Sequence, residues 1–237
     1  VALIENQRMG GTCVNVGCVP KKMMWNAAHF ADELTIAGDY GFPLTPPVFD
    51  WACFKTARDT FIERLNGIYL RNLESSNVDT YRGWAVFESV NNVRVGDQVL
   101  TADHVLIATG GRPATLNLPG ADLAITSDGF FELKSQPKNP LIIGAGYIAT
   151  ELAGVLQSLG SNVTMLLRKD ILLRGFDHTL REAVTHEMQS DGVKILTRVQ
   201  LQGLKQEATG ELSFYDKSGT RHGGFDCVIL ATGRTPA

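Results

Sequence analysis

The residues from 141 to 167 restrict the fold of this chain more than any other stretch. Residues 141–143 are Leu-Ile-Ile, a pattern typical of a buried strand, and they lead into Gly-Ala-Gly-Tyr-Ile-Ala, which has the form GxGxxA. A helical pattern runs from Thr150 to Leu159, and Gly160 is a suitable stop before a second strand pattern at 162–167. This succession predicts a Rossmann-like α/β unit.

The small residues of the turn indicate what this unit binds. Gly144 permits the tight turn, Gly146 lets a pyrophosphate approach the backbone, and Ala149 allows the helix to pack closely on the strand. The phosphates would rest on the N–H groups at the start of the helix, beside Tyr147 and Ile148. The turn therefore predicts a dinucleotide-binding site.

The residues after the second strand indicate which nicotinamide dinucleotide is preferred. An NAD site has an acidic residue there, which accepts a hydrogen bond from the ribose 2′-OH. This chain has Arg168 and Lys169 instead, with Arg174 further along. Arginine binds phosphate through fork-shaped contacts, so the pattern favours NADPH. A solvated basic loop is the alternative.

The start of the chain indicates a second nucleotide site. Residues 1–4 have a strand pattern, and Glu5 stands at its end, where a ribose-binding acid belongs. The matching glycine fingerprint would lie about 20 residues upstream of such an acid. The sequence also begins without methionine, so we expect the chain to be a fragment of a longer protein.

Residues 10–22 place two cysteines close together ahead of a helical pattern. The sequence is Gly-Gly-Thr-Cys-Val-Asn-Val-Gly-Cys-Val-Pro-Lys-Lys, with Pro20 suited to the first helical position. A helix start favours a thiolate at Cys18, so Cys13 and Cys18 are candidates for a redox-active disulfide. A structural disulfide, half of a metal site and two buried thiols remain open. Cys53 and Cys227 are isolated and expected to be buried, so no four-cysteine metal site is predicted.

Several segments together resemble one family. The cysteine segment, GDYGF at 38–42, HVLIATGGRP at 104–113, SDGFF at 127–131, GAGYIATELAG at 144–154, LLRKDILLRGFD at 166–177 and the closing ILATGRTP are similar to the pyridine nucleotide-disulfide oxidoreductases, and within them to the glutathione reductase family. The resemblance runs nearly end to end. It implies two Rossmann-like three-layer dinucleotide-binding domains, for FAD and for NADPH, the second inserted in the first.

The resemblance also implies roles for individual residues. Cys13 would be the interchange thiol that attacks glutathione disulfide, and Cys18 the flavin-side thiol. Lys21 would lie near the flavin and pair with Glu151, and Tyr147 would gate the nicotinamide pocket. Tyr69 would line the glutathione cleft. The residues expected to contact FAD or NADPH are Glu5, Gly11, Thr12, Ala108, Thr109, Gly110, Gly144, Gly146, Tyr147, Ile148, Glu151, Arg168, Arg174 and Gly233.

In this family a His-Glu pair from the C-terminal domain of the other subunit protonates the leaving thiolate. The five histidines of this chain match no such position. We therefore expect the intact protein to be a homodimeric, NADPH-dependent glutathione-disulfide reductase, and this polypeptide alone to have little activity.

Related and unrelated alternatives remain. Mercuric reductase and dihydrolipoamide dehydrogenase usually have serine at the position of Lys21, and the dehydrogenase prefers NAD, whereas thioredoxin and trypanothione reductases share the double lysine. Trp25 and the GAGYIA form favour the glutathione enzyme. A non-catalytic dinucleotide-binding module is the alternative from another class, and a flavin spectrum would separate it from a reductase.

Composition adds few restrictions. A net charge of −3 gives no sign of nucleic-acid binding, and no apolar run reaches the roughly 18 residues that a membrane span needs. No metal is predicted, and the cysteine usage fits a cytoplasmic protein. The predicted domains are residues 1–138 for FAD, 139–225 for NADPH, and 226–237 as a return to the FAD-binding domain. Within the first, the sequence predicts a helix from Phe49 to about Ser75 and β structure from Val78 to Ile107.

Overall fold

A computed structural model describes residues 1–45 and 47–237. By its internal contacts the chain divides into two compact units. The first comprises Val1–Pro20, Thr56–Gly110 and Pro236–Ala237, and the second comprises Lys21–Lys55 and Gly111–Thr235. The domain boundaries predicted from the sequence remain a prediction, separate from this division into two units.

The described residues contain six α-helices and fifteen strands. The helices are α1 (Gly11–Val16), α2 (Cys18–Ile36), α3 (Trp51–Ser75), α4 (Ser127–Glu132), α5 (Tyr147–Ser158) and α6 (His178–Ser190). The strands are β1 (Ala2–Glu5), β2 (Asp79–Arg82), β3 (Ala85–Phe87), β4 (Asn92–Val95), β5 (Gln98–Thr101), β6 (Gly111–Pro113), β7 (Ile125–Thr126), β8 (Pro140–Ile143), β9 (Thr164–Leu166), β10 (Lys194–Leu196), β11 (Leu201–Gln206), β12 (Leu212–Asp216), β13 (Arg221–Phe225), β14 (Cys227–Leu230) and β15 (Arg234–Pro236).

The second unit is built on a five-stranded parallel sheet with the order β10-β9-β8-β14-β7. Its central strands carry apolar residues on both faces, as buried parallel strands do. In register across the sheet, Ile142 lies between Met165 and Ile229, and all three are fully buried. This sheet confirms the α/β class that the sequence predicts.

Helix α5 packs on this sheet through one apolar face. Ala149, Leu152, Ala153 and Leu156 are buried at the spacing of a helical face. The helix ends where the sequence predicts, because Gly160 adopts a φ of +94° and its N–H donates to the Gln157 carbonyl at 2.9 Å.

A three-stranded antiparallel sheet, β11-β12-β13, follows in the same unit. Phe214 of β12 is fully buried and stacks on Phe225 of β13, with the ring centroids 6.1 Å apart. The core around Phe214 includes Leu141 and Leu230 of the parallel sheet, so the two sheets share one apolar core.

The first unit contains two small sheets. Strands β1 and β2 pair in parallel, with Glu5 opposite Arg82, and β3-β4-β5 form an antiparallel sheet. The sequence predicted β structure as far as Ile107. This is wrong beyond Thr101, because no strand of the described chain pairs with 104–107, and Leu106 is 89% exposed there.

Three other expectations need correction. Helix α2 begins at Cys18, so Pro20 is its third residue and not its first. Proline is tolerated there because the first four N–H groups of a helix have no helical acceptor. Helix α3 begins at Trp51, two residues later than predicted. Cys53 is exposed, whereas Cys227 is buried as expected.

Candidate functional site

The glycine turn after β8 presents a bare surface at the start of α5. A Cβ on Gly144 would lie 2.3 Å from the Ala231 carbonyl oxygen, and Gly144 has a φ of +146°. A Cβ on Gly146 would meet no atom within 4 Å. Gly144 is therefore required by packing, whereas Gly146 leaves open space beside the unpaired N–H groups of α5. A dinucleotide phosphate fits that space.

Ala149 explains the third small residue of the motif. It is fully buried, and its Cβ would lie 3.4 Å from a Cβ on Gly144, so a larger side chain would push α5 away from the sheet. Tyr147 and Ile148, at the start of the helix, are exposed and half-buried respectively. The turn thus has the form that the sequence predicts.

Lys21 of α2 and Glu151 of α5 form an ion pair within the second unit. The Lys21 Nζ donates to the Glu151 Oε1 at 2.7 Å, with 27% and 39% of the side chains exposed. The two residues are 130 positions apart in the sequence. This contact is the one that the family resemblance implies.

The loop after β9 carries the basic residues predicted to bind the 2′-phosphate. Arg168, Lys169 and Arg174 are all exposed. A shallow cavity of about 240 Å³ is lined by Lys169, Asp170, Ile171, Arg174 and Arg181. The structure thus brings Arg174 together with Lys169 in one cavity, while Arg168 lies outside its lining.

The two cysteines lie on consecutive helices of the cysteine segment. Cys13 belongs to α1 and Cys18 begins α2, with Gly17 between the helices. A Cβ on Gly17 would lie 2.7 Å from the Thr12 carbonyl oxygen of α1, so the turn that ends α1 requires glycine there. Both cysteines are exposed thiols in this structure.

Cys13 and Cys18 interact directly. A hydrogen bond with the Cys18 side chain, followed by partial burial and the charge on Cys18, raises the pKa of Cys13 above its ordinary value of 9.0. Two thiols that influence each other in this way can exchange a proton and can be joined by oxidation. The two cysteines that the sequence singled out therefore act on each other in the structure.

An asparagine pair supports the cysteine segment, and the sequence analysis missed it. The buried Asn15 side chain donates to the Met9 carbonyl at 3.0 Å and to the Gly11 carbonyl at 2.9 Å. Asn66 of α3 donates to the same Met9 carbonyl at 2.7 Å and to the Asn15 Oδ1 at 3.1 Å. A polar residue amid the apolar positions of α1 was a signal for Asn15, but no local pattern marks Asn66.

The residues predicted to contact FAD lie at the ends of elements. Glu5 ends β1, and its Oε1 accepts from the Gln7 N–H at 2.8 Å. Thr109 donates through its hydroxyl to the Ala237 carbonyl at 3.0 Å, and the Ala237 N–H donates to the Gly110 carbonyl at 3.1 Å. The other predicted positions, Gly11, Thr12, Ala108 and Gly233, are exposed.

Tyr69, the predicted substrate contact, lies on α3 with 44% of its surface exposed. Among the described residues, no group of three or more His, Cys, Asp or Glu side chains is arranged to hold a metal ion. In the same part of the chain, none of the helices combines the length and the apolar character needed to cross a membrane.

Comparison with known proteins identifies the class. The family model described as pyridine nucleotide-disulphide oxidoreductase matches residues 1–237, so the chain belongs to that family. Among curated proteins it is similar to the glutathione reductase of Schizosaccharomyces pombe (strain 972 / ATCC 24843), with 43% identity over 100% of this chain and 53% of the relative. The glutathione reductase of Yarrowia lipolytica (strain CLIB 122 / E 150) is 40% identical over 99% of this chain and 53% of its own length.

A solved structure agrees with the fold. The HOCl-induced flavoprotein disulfide reductase RclA from Escherichia coli matches with a TM-score of 0.85 and 25% identity, over 100% of this chain and 52% of that one. The chain thus spans about half the length of the relatives it matches.

Proposed function

We propose that the protein containing this chain is an NADPH-dependent glutathione-disulfide reductase that uses FAD and the Cys13–Cys18 pair. The observation that carries this proposal is the placement of two exposed thiols at the junction of α1 and α2, where Cys18 raises the pKa of Cys13. Thiols placed in this way can reduce a disulfide by exchange and be oxidised to a disulfide in return.

The dinucleotide sites support the cofactors of this proposal. The open space at Gly146 and the N-terminus of α5 fit the pyrophosphate of NADPH, and Arg168 and Arg174 would hold its 2′-phosphate. Bound FAD supplies a ring that accepts hydride from NADPH and returns electrons to the cysteine pair. Glu5, Gly11, Thr12, residues 108–110 and Gly233 would hold it, with Lys21 and Glu151 near the flavin ring.

The thiol steps follow from the chemistry of exchange. The Cys13 thiolate attacks one sulfur of glutathione disulfide, which forms a mixed disulfide and releases one glutathione thiolate to be protonated. The Cys18 thiolate then attacks the Cys13 sulfur, releases the second glutathione and leaves a Cys13–Cys18 disulfide. Two electrons from NADPH reduce this disulfide again, so one NADPH is consumed for each glutathione disulfide.

The remaining parts of the proposal concern assembly and organisation. A homodimer is supported by an apolar groove in the second unit, lined in part by Met23, Phe30, Val48 and Phe54.

The exposed thiol of Cys53 fits a reducing cytoplasm. The Asp226 carboxylate accepts from the N–H groups of Lys138 and Asn139 at 2.6 and 3.0 Å, which joins the two chain passages proposed as the boundaries of the NADPH-binding domain.

The test is NADPH oxidation by the full gene product, offered glutathione disulfide beside trypanothione disulfide, lipoamide and Hg²⁺. We expect a strong preference for glutathione disulfide, its loss in Cys13→Ser and Cys18→Ser, and retention in Cys53→Ser as the matched control. Preference for another acceptor would show that glutathione disulfide is not the substrate, but the proposed roles of Cys13 and Cys18 would stand. Equal activity of Cys13→Ser and wild type would overturn those roles.

A further inference from the structure

One peptide group of the basic loop is held from both sides. Its carbonyl, that of Leu172, accepts from the Arg181 Nε of α6 at 3.3 Å. Its N–H, that of Leu173, donates to the carbonyl of Ala145 in the glycine turn at 2.7 Å. Arg181 and the glycine turn are therefore connected through a single peptide plane, one residue before Arg174.

The conformation of this loop needs such support. Leu173 has a φ of +53°, a region that residues with a Cβ rarely adopt. Leu172 and Leu173 are buried, and the Phe176 N–H closes the turn by donating to the Leu173 carbonyl at 2.8 Å. Losing the bond from Arg181 would leave the Leu172 carbonyl without this charged donor and would loosen the loop that carries Arg174.

Arg181 also lines the basic cavity. Its Nε donates to the Leu172 carbonyl, which leaves the terminal N–H groups of this half-buried residue for another acceptor. Asp170, a carboxylate in the same lining, is paired with Arg198, whose Nε and Nη2 donate to the two Asp170 oxygens at 3.2 Å each. Lys169, Arg174 and Arg181 therefore make the cavity positive, which favours an anion.

We propose that Arg181 is a positioning and specificity residue for the 2′-phosphate of the dinucleotide, holding the Leu172–Leu173 peptide with its Nε and completing the cationic wall with its terminal N–H groups. This inference rests on the proposed NADPH site. It adds a residue of α6, outside the motif that follows β9, and it assigns Arg181 two separable tasks.

The test measures binding of adenosine 2′,5′-bisphosphate and of adenosine 5′-monophosphate to the full gene product by calorimetry. For Arg181→Gln we expect about a tenfold loss of affinity for the bisphosphate, as the loss of one charge-assisted contact gives, with little change for the monophosphate. Arg181→Lys keeps the charge but not the fork, so a smaller loss is expected. Lys194→Gln removes an exposed lysine of β10 outside the cavity and is the matched control.

A second measurement reports the positioning task without any ligand. Hydrogen exchange of the Leu173 amide should be faster in Arg181→Gln and Arg181→Lys than in wild type, and unchanged in Lys194→Gln. Unchanged exchange and unchanged bisphosphate affinity would overturn the inference, as would an equal loss of affinity for both nucleotides. If Arg181→Gln does not fold, the Leu173 exchange rate and the two nucleotide affinities of Arg181→Lys test the inference by the same criteria.

The variant Arg174→Gln separates this inference from the proposed function. If wild type prefers the bisphosphate and only Arg174→Gln loses that preference, the NADPH site stands and the role of Arg181 fails. If wild type binds the two nucleotides equally, the proposed preference for NADPH fails first.

Discussion

Cys13 holds its proton more tightly than a lone cysteine because Cys18 is its hydrogen-bond partner. In the variant Cys18→Ser the pKa of Cys13 should fall towards its ordinary value, since the thiol whose hydrogen bond and charge raise it has been removed. The pH profile of Cys13 alkylation by iodoacetamide should therefore move to lower pH. Mass spectrometry can follow each site, with Cys53 as the internal reference. A profile that stays in place or moves to higher pH would contradict this account.

The amide of Asn66 fixes the cysteine segment to α3 through Met9 and Asn15. Truncation in Asn66→Ala removes two donors and leaves the buried Asn15 Oδ1 without one of its partners. A loss of about 1–3 kcal/mol in the free energy of unfolding is expected. Urea denaturation measures it.

The matched control for Asn66 is Asn72→Ala. Asn72 is an exposed asparagine on the same helix, so its truncation should stay within about 0.5 kcal/mol of wild type. Equal effects of the two substitutions would show that the Asn15–Asn66 network does not stabilise the first unit.

At the scale of elements, the two glycines of the turn between β8 and α5 should respond in opposite ways. The variant Gly144→Ala places a Cβ against the Ala231 carbonyl of the neighbouring chain segment, at a φ of +146°. It should cost roughly 2–4 kcal/mol of unfolding free energy through the clash and the backbone strain. Chemical denaturation gives that value.

The variant Gly146→Ala is the counterpart. Its Cβ would enter open space at a φ of −86°, so the entropy gain from replacing glycine opposes the loss of a favourable N-cap residue, and the unfolding free energy should change by less than about 1 kcal/mol. The same Cβ would occupy the surface offered to the pyrophosphate, so NADPH affinity should fall, as measured by nucleotide fluorescence. If Gly146→Ala bound NADPH as wild type does, this surface would not be the phosphate site.

The elements that could be predicted from sequence are those fixed by local chemistry. The apolar run before Gly144 and the stop at Gly160 located β8 and the end of α5, because turn and strand preferences act over a few residues. Residues 104–107 have an equally strong strand pattern, yet they form no strand, since a strand also needs a partner for its backbone.

The residues of the candidate site can likewise be separated into those that a local pattern marks and those that it does not. The spacing of Cys13 and Cys18 is local and could be read directly. The Lys21–Glu151 pair was accessible only through the family resemblance, because the two residues are 130 positions apart. Asn66 and Arg181 were missed, since their contacts depend on tertiary packing that no short pattern records.

At the scale of the whole molecule, the described chain leaves large apolar side chains in water. Phe30 is 72% exposed and Val48 is 96% exposed, and both line the groove proposed for the dimer. Exposed apolar surface of this kind marks an interaction site. The chain should therefore self-associate as its concentration rises, which sedimentation velocity can measure.

A double variant tests that surface. Phe30→Ser with Val48→Ser should weaken association by roughly tenfold or more, since burial of each apolar side chain contributes about 1.5–3 kcal/mol. The matched control is Val90→Ser, which removes a valine that is 87% exposed and lies outside the groove. A chain that is monomeric at every concentration, or a control that weakens association equally, would contradict this assignment.

The doubly held peptide of Leu172 and Leu173 has a consequence for protein engineering. The spacing between the glycine turn and Arg174 is set by main-chain bonds, so side chains at 168 and 174 can be exchanged without moving the scaffold that displays them. An insertion or deletion between 168 and 172 would instead displace that scaffold. Libraries intended to convert coenzyme preference should therefore vary residue identity in this loop and keep its length constant.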